Sequence, residues 1–496
     1  MKRLPFLLLL LAAATGFANP PFAPNVRVSD DAGGQMINQG ESDFAVWRGQ
    51  SIYSCCNLAE RSTIAMIPYA WSTNGGTSFA PNIPFNDPTP GNPWHSDPVI
   101  GVDDSGHVHM LVQYSTVSIY HYFSRTGGQT WQDTTRVTPS SGCDKPWMVI
   151  YRNEIYIVWQ QVSGSTGLWQ AKSTDYGRTF TTGRIWNRTG VSALDMDENH
   201  NLHLGLVDNW PSGNVYYRKS TDRGVTWSTE VLLSNSTYYT GWGDRAPINS
   251  IAARGQNVFL TWVDSRTGTW DVVGCRSTNG GATWSSRFTV NEDTVGGQCK
   301  GWAEFDPFGG LHVMYYTTPN WPTNSSSRWS IRYRYSPNGG ATFNPSLRIS
   351  DTTFASPVDF MGEYHIILAD SQYVYAQWTD GRAVTNNDLY FSKATLGSVG
   401  VAQGNDHVPN PVMAKGLLAP TVWAGPVVLK LSPREQPVSL ALYDVAGRKV
   451  RGLYEGKVVG ETEVRLRSSE FHNGLYFLLW RSGQEQEVKK IINFTR

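Results

Sequence analysis

The sequence predicts an all-β chain: a β-propeller of seven four-stranded blades, with six as the alternative, followed by a small C-terminal β-sandwich. Three observations predict it. An eight-residue turn pattern recurs between residues 72 and 343. Each copy follows a series of short segments with strand-like alternation. The composition is that of many short strands joined by glycine turns, with 48 Gly, 20 Trp, 23 Tyr and 19 Phe in 496 residues and only 17% charged.

The turns begin at Ser72 (STNGGTSF), Ser124 (SRTGGQTW), Ser173 (STDYGRTF), Ser220 (STDRGVTW), Ser277 (STNGGATW) and Ser336 (SPNGGATF), with a shortened copy (SKATLG) at Ser392. Their starts lie 47 to 59 residues apart, a period that denotes a repeat architecture. In each turn the Asn or Asp side chain can bond nearby backbone N–H groups, glycine supplies the left-handed φ, and the aromatic residue packs between sheets. An alternating strand precedes the turn (119–123, 215–218, 331–335), and a more apolar one precedes that (108–112, 155–159, 258–262, 374–378). A third run lies earlier still (97–102, 145–150), and a short strand follows the turn (136–138, 231–233, 288–290, 347–349). Four strands per repeat make a propeller blade. The last repeat, 363–395, lacks a fourth strand, while residues 25–30 (NVRVSD) match 347–351 (LRISD). Pairing the two ends closes the ring without an open edge and favours seven blades over six.

Residues 1–19 read as a signal peptide: Met1-Lys2-Arg3, an apolar run to Ala13, then small residues before Pro20 and Pro21. The apolar run is too short to span a bilayer and no other segment is long enough, so no transmembrane segment is expected. Zero formal net charge argues against nucleic acid or an anionic membrane as partner. The five cysteines (Cys55, Cys56, Cys143, Cys275, Cys299) are too few for a disulfide scaffold; one or two bridges are expected. No zinc-type spacing occurs, so neither a metal nor a cofactor is predicted.

The recurrent turns resemble the Asp boxes of sialidase-like, BNR-repeat proteins, from about residue 25 to 397, which assigns residues 20–397 to the propeller. In that family the Asp box is structural and sits away from the active site. The resemblance implies an extracellular glycan or glycoprotein as partner. Residues 398–423 form a linker rich in Gly, Ala, Val and Pro. Residues 424–496 resemble the C-terminal sorting domain of the type IX secretion system, through "YDVAGRKV" and "NGLYFLLW". That resemblance implies the secretion machinery as a partner and delivery outside, or onto the outer surface of, a Gram-negative bacterium.

In a four-stranded meander, the loops before strand 1 and after strand 2 open on the face opposite the recurrent turns, so ligand chemistry is sought there. Before strand 1 lie Asp97, Asp144 with Lys145, Asp244 with Arg245, Lys300 with Glu304, and Glu363 with Tyr364; after strand 2 lie Arg61, Asp208, Asp264 with Arg266, and Asp380 with Arg382. A sialidase-like site requires an arginine cluster for a substrate carboxylate, a tyrosine nucleophile activated by a glutamate, and an aspartate acid/base. The resemblance implies Asp97, Asp144, Glu363 and Tyr364 as catalytic residues. It implies Arg245, Arg266 and Arg382, with Asp244 and Asp380, as the substrate-binding set. Three features pull the other way. Adjacent strand residues such as Glu363 and Tyr364 point to opposite sides, Asp-x-Arg after a strand often forms a local ion pair, and the chain has no Phe/Tyr-Arg-Ile-Pro motif. His107, His109, His121, His203 and His312 read as packing residues. Three readings therefore stand: a sialidase-like glycosidase, a non-catalytic glycan- or protein-binding propeller, and a polysaccharide lyase using His95 or His365 with Tyr364.

Overall fold

The computed structural model describes residues 21–30, 39–58, 67–85, 95–114, 116–208, 213–235, 249–323, 326–355, 361–383 and 386–399. Further on it describes 417–418, 422–423, 426–431, 436–444, 448–459, 462–467, 470–472, 474–483 and 485–493. The expected signal peptide, Arg61, Asp244, Arg245 and most of the expected linker lie outside these residues. The chain divides into two compact units, 1–402 and 403–496.

Seven four-stranded antiparallel sheets make up the described part of the first unit. Their first three strands are, in sheet 1, Gln39–Trp47, Ser51–Leu58 and Pro68–Ser72, and in sheet 2, His95–Val102, Val108–Tyr114 and Ser118–Ser124. Sheet 3 has Cys143–Tyr151, Glu154–Gln161 and Gly167–Ser173; sheet 4 has Gly190–Met196, Leu202–Asp208 and Val215–Ser220. Sheet 5 has Ser250–Arg254, Asn257–Asp264 and Asp271–Ser277; sheet 6 has Gly297–Phe305, Leu311–Thr318 and Ser330–Ser336. Sheet 7 has Ile367–Ala369, Tyr373–Asp380 and Asp388–Thr395, and its fourth strand is Val26–Arg27 from the start of the chain. Val26 pairs with Phe391 and Arg27 with Tyr390, the end-to-end pairing the sequence predicts. Consecutive sheets touch through their first strands, and sheet 1 touches sheet 7, so the sheets form a closed ring with the first strands innermost.

The recurrent turns bind each sheet to the one before it. In all six complete turns the leading serine Oγ accepts the N–H of the glycine four residues on, at 2.8–2.9 Å. Asp175, Asp222, Asn279 and Asn338 each accept a further backbone N–H. The aromatic residue then reaches back: Phe79 onto Phe391, Trp131 onto Tyr69, Phe180 onto His121, Trp284 onto Tyr217 and Phe343 onto Phe259. Buried carboxylates add staples between inner strands. Asp43 Oδ2 accepts from Ile100 N at 2.8 Å and Asp195 Oδ2 from Ala253 N at 2.7 Å. With both oxygens bonded to backbone N–H groups, these carboxylates are still pushed up to about 7 by burial.

Histidines serve the same cohesion. His203 bridges Asp197 and Tyr217, and His312 bridges Asp306 and Tyr333, at 2.7–3.2 Å. His109 meets His121 at 3.0 Å, and His107 lies on Asp103. The disulfide expectation fails: the five cysteines are buried and none is in a disulfide, so they serve as small core residues. Beyond sheet 7, Leu396–Val399 forms one helical turn whose Val399 is buried in the core of sheets 6 and 7, so this stretch of the expected linker is part of the first unit.

In the second unit a three-stranded and a five-stranded sheet share one apolar core. Leu429, Leu431 and Leu466 come from the first, and Leu440, Leu478 and Trp480 from the second. This is the small two-sheet arrangement the alternating segments predict.

Candidate functional site

In sheet 3, Tyr151 and Glu154 flank the hairpin next to the recurrent turn, whereas Cys143 pairs with Gln161 at the far end. The charged residues that open the first strands therefore lie opposite the recurrent turns. Four first strands carry a register break there: Gly40/Asp43, Ser96/Val99, Asp144/Trp147 and Cys299/Trp302. Each break holds a residue in the left-handed region, namely Glu41 (φ 49°), Asp97 (φ 47°), Lys145 (φ 52°) and Lys300 (φ 55°). A bulge of this kind re-aims a side chain that regular alternation would point at a neighbouring sheet.

The re-aimed groups meet. Lys145 Nζ donates to Glu41 Oε1 at 3.1 Å and to Asp97 Oδ1 at 2.7 Å, and lies 2.5 Å from Glu363 Oε2. Sheet 3 adjoins neither sheet 1 nor sheet 7 around the ring, so these contacts place the ammonium on the ring axis. Beneath it, Trp147 of sheet 3 packs on Trp302 of sheet 6 at 5.0 Å and on Tyr364 at 5.1 Å, again across the axis. Lys300 Nζ donates to the Gly362 carbonyl. Gly362 is left-handed (φ 85°), and a side chain there would strike Glu41 N, so the segment bearing Glu363 lies directly against the bulge bearing Glu41.

Burial governs the electrostatics. It pushes Glu41 up to about 8, against the lowering effect of Lys145 and with the help of Asp97 and Glu363. Burial, then the Asp97 charge, also raises Asp144, whose oxygens accept from Gln113 at 3.0 Å and Gln160 at 2.8 Å. Burial alone would lower Lys145, but Asp97, Glu363, Glu41 and Asp144 outweigh it and hold the ammonium well above its ordinary range. Burial, then Asp97 and Glu41, drives the Tyr364 hydroxyl far up, and that hydroxyl has no hydrogen-bond partner. A proton donor thus sits beside carboxylates that face an ammonium, above an aromatic floor.

Of the residues expected to be catalytic, Asp97, Asp144, Glu363 and Tyr364 all come to this axial cluster. Glu363 and Tyr364 do so together because residues 361–366 are irregular and precede the strand, so the opposite-sides expectation does not apply. Glu363 engages Lys145, not the Tyr364 hydroxyl, so the nucleophile pairing expected of Tyr364 is absent from this geometry. The arginines are engaged elsewhere. Arg266 binds Asp264 at 3.0 Å and Ser234 at 2.6 Å; Arg382 binds Asp380 and Asp351 at 2.5 Å and Asn25 at 3.0 Å, over the Tyr390 ring. In both cases a buried tryptophan, Trp262 or Trp378, donates to the same aspartate, so Trp-x-Asp-x-Arg is a loop clamp and Asp380 is fully buried within it. Asp244 and Arg245 lie outside the described residues. His365, a candidate lyase base, is 0% exposed, with its ring on Tyr316, and His95 packs on Tyr114. Glu41 escaped sequence reasoning altogether. Its signal was a charged residue followed by a small one near the start of a first strand, as in Glu41-Ser42, Asp97-Pro98, Lys145-Pro146 and Lys300-Gly301.

Residues 423–493 match the family model described as the secretion system C-terminal sorting domain. The chain ends in that sorting domain. It is thereby marked for secretion or for the outer surface, and among the described residues no helix is long and apolar enough to cross a membrane. No curated protein matches the chain. Solved structures similar to it include a Hadza microbial sialidase, 13% identical, with 75% of this chain and 68% of that one covered and a TM-score of 0.43. An ulvan lyase of polysaccharide lyase family PL25 is 13% identical, with 75% and 99% covered and a TM-score of 0.47. An α-L-arabinanase of Penicillium chrysogenum is 11% identical, with 77% and 100% covered and a TM-score of 0.42. Likeness at this level says nothing of what this chain acts on.

Proposed function

We propose that this chain is a carbohydrate-active, seven-bladed β-propeller exported through a type IX system, and that it hydrolyses extracellular glycan at the axial cluster. The observation that carries the reading is the convergence of Glu41, Asp97 and Glu363 on Lys145 from three other parts of the ring. Glycoside hydrolysis needs one carboxyl that gives a proton to the leaving oxygen and one carboxylate that attacks or activates water. Glu41, raised to about 8, supplies the first. Asp97 or Glu363, oriented by Lys145, supplies the second. Trp302, only partly buried where it packs on Trp147, would offer the aromatic surface on which a sugar ring stacks. The alternating neutral and charged carboxyls are the division of labour that environment imposes on paired acids.

The test is release of reducing sugar from plant, algal and animal glycans by the whole exported chain, beside its Asp97→Asn and Glu363→Gln variants. Release that falls at least a hundredfold in one folded variant is expected. No release from any glycan, or undiminished release by both variants, refutes the reading.

A further inference from the structure

Resting on that glycan reading, we infer that the sugar bound over the axial cluster bears no carboxylate or sulfate: the site selects uncharged glycan. Four carboxyl groups, Glu41, Asp97, Asp144 and Glu363, surround Lys145, and three of them contact its ammonium directly. Carboxyl groups outnumber lysines at the cluster four to two, counting Lys300 with Lys145. The second lysine at the cluster, Lys300, is 2% exposed and donates to the Gly362 carbonyl. Among the described residues, the two arginines that would greet a substrate anion are engaged, since Arg266 and Arg382 hold buried aspartates of their own sheets. An incoming carboxylate would meet the field of these acids among buried groups, where like charges are poorly screened.

A neutral sugar fits what the cluster leaves unsatisfied. Tyr364 is 2% exposed, its hydroxyl has no hydrogen-bond partner among the described residues, and its ring lies 5.7 Å from Lys145 Nζ, within the cluster. Because burial keeps that hydroxyl protonated, it can donate to a sugar oxygen. The carboxylates accept from sugar hydroxyls, for which an anion offers no substitute. The partly buried Trp302 would stack against an apolar sugar face regardless of charge.

The test compares matched polymers that differ only in charge. Glucuronoxylan, polygalacturonate and hyaluronan, each before and after carboxyl reduction, are run in affinity electrophoresis against the whole chain at about 0.15 M salt, where charges separated by more than about 8 Å are largely screened. Each reduced polymer that binds is expected to be held at least tenfold more tightly than its acidic parent. Tighter binding of the parents overturns the inference and leaves the glycan reading standing, whereas no binding of either form overturns both. The Asp97→Asn/Glu363→Gln variant, which leaves Lys145 short of counter-charge, should bring parent and reduced polymer to within threefold. Asp144→Asn, which spares the lysine's direct partners, should narrow the gap in the same direction. Unchanged discrimination in both folded variants refutes the electrostatic account.

Discussion

Replacing Lys145 with methionine probes the axial cluster through stability, independently of any ligand. The substitution keeps most of the side chain's length and removes its charge, leaving Glu41, Asp97 and Glu363, all less than a tenth exposed, without the ammonium they share. At an effective dielectric of about 20, one unit pair at about 4 Å is worth about 4 kcal/mol. Three such attractions are offset by the desolvation of four groups, and removing one member of a buried pair costs about 3–5 kcal/mol. The loss should depend on pH, with a definite sign. A buried carboxyl without its counter-ion has a raised pKa, and Glu41, already pushed up to about 8, loses the partner that most restrains it. A carboxyl whose folded pKa exceeds its unfolded value contributes stability below the unfolded value, and that stability is lost as pH rises towards the folded one. Urea denaturation of the wild type and Lys145→Met, followed through tryptophan fluorescence, should therefore give a deficit of about 3–5 kcal/mol at pH 8 and less than half of it at pH 5. An equal deficit at both pH values, or one below about 1 kcal/mol at pH 8, refutes the view that the lysine is the counter-ion of the cluster.

Two further outcomes test the ring rather than its centre. Ser277→Ala leaves the buried Gly281 N–H without its acceptor and should cost about 1–3 kcal/mol in the same denaturation experiment. The conservative Ser277→Thr change should recover part of that loss. The five thiols are buried and form no disulfide, and burial pushes Cys143 up to about 11 and Cys275 up to about 12. Ellman's reagent should therefore label none in the native protein and five in denaturant, with a melting temperature indifferent to reductant. Native labelling, or a melting temperature lowered by reductant, would contradict the packing described.

What the sequence discloses and what it hides follow from locality. The recurrent turn is a local object, since Ser, Asx, Gly and the aromatic residue act within eight positions, so its copies expose the sheet count and their spacing exposes the strands. The closing strand was legible because 25–30 copies the pattern of a fourth strand. Asp97, Asp144, Glu363 and Tyr364 were found because they precede first strands. That they meet on one lysine depends on sheets 1, 2, 3 and 7 crossing the axis, which no local pattern records. Glu41 was missed because its role depends on a left-handed backbone, and regular alternation would have turned it elsewhere. Arg266 and Arg382 misled for the converse reason: an arginine two residues after an aspartate looks like a ligand clamp until the buried tryptophan behind the aspartate is seen.

The four left-handed residues at the axis bear on why the cluster exists. Each non-glycine residue in that conformation costs about 1–2 kcal/mol, so Glu41, Asp97, Lys145 and Lys300 together store about 4–8 kcal/mol of strain. Glycine would remove the strain, and the chain uses it at Gly76, Gly128 and Gly281, although Arg48, Arg152, Tyr176, His200 and Arg223 also stand left-handed in turns away from the axis. Cohesion of the ring does not require the strained residues, because serine clamps, back-reaching aromatics and the Asp43 and Asp195 staples already join neighbouring sheets. What only these four positions accomplish is to carry opposite charges onto one axis, on the face away from the structural turns. Strain of this kind at four register breaks, each occupied by a charged residue where glycine would cost less, is the pattern of a site whose side-chain chemistry is retained at the expense of stability.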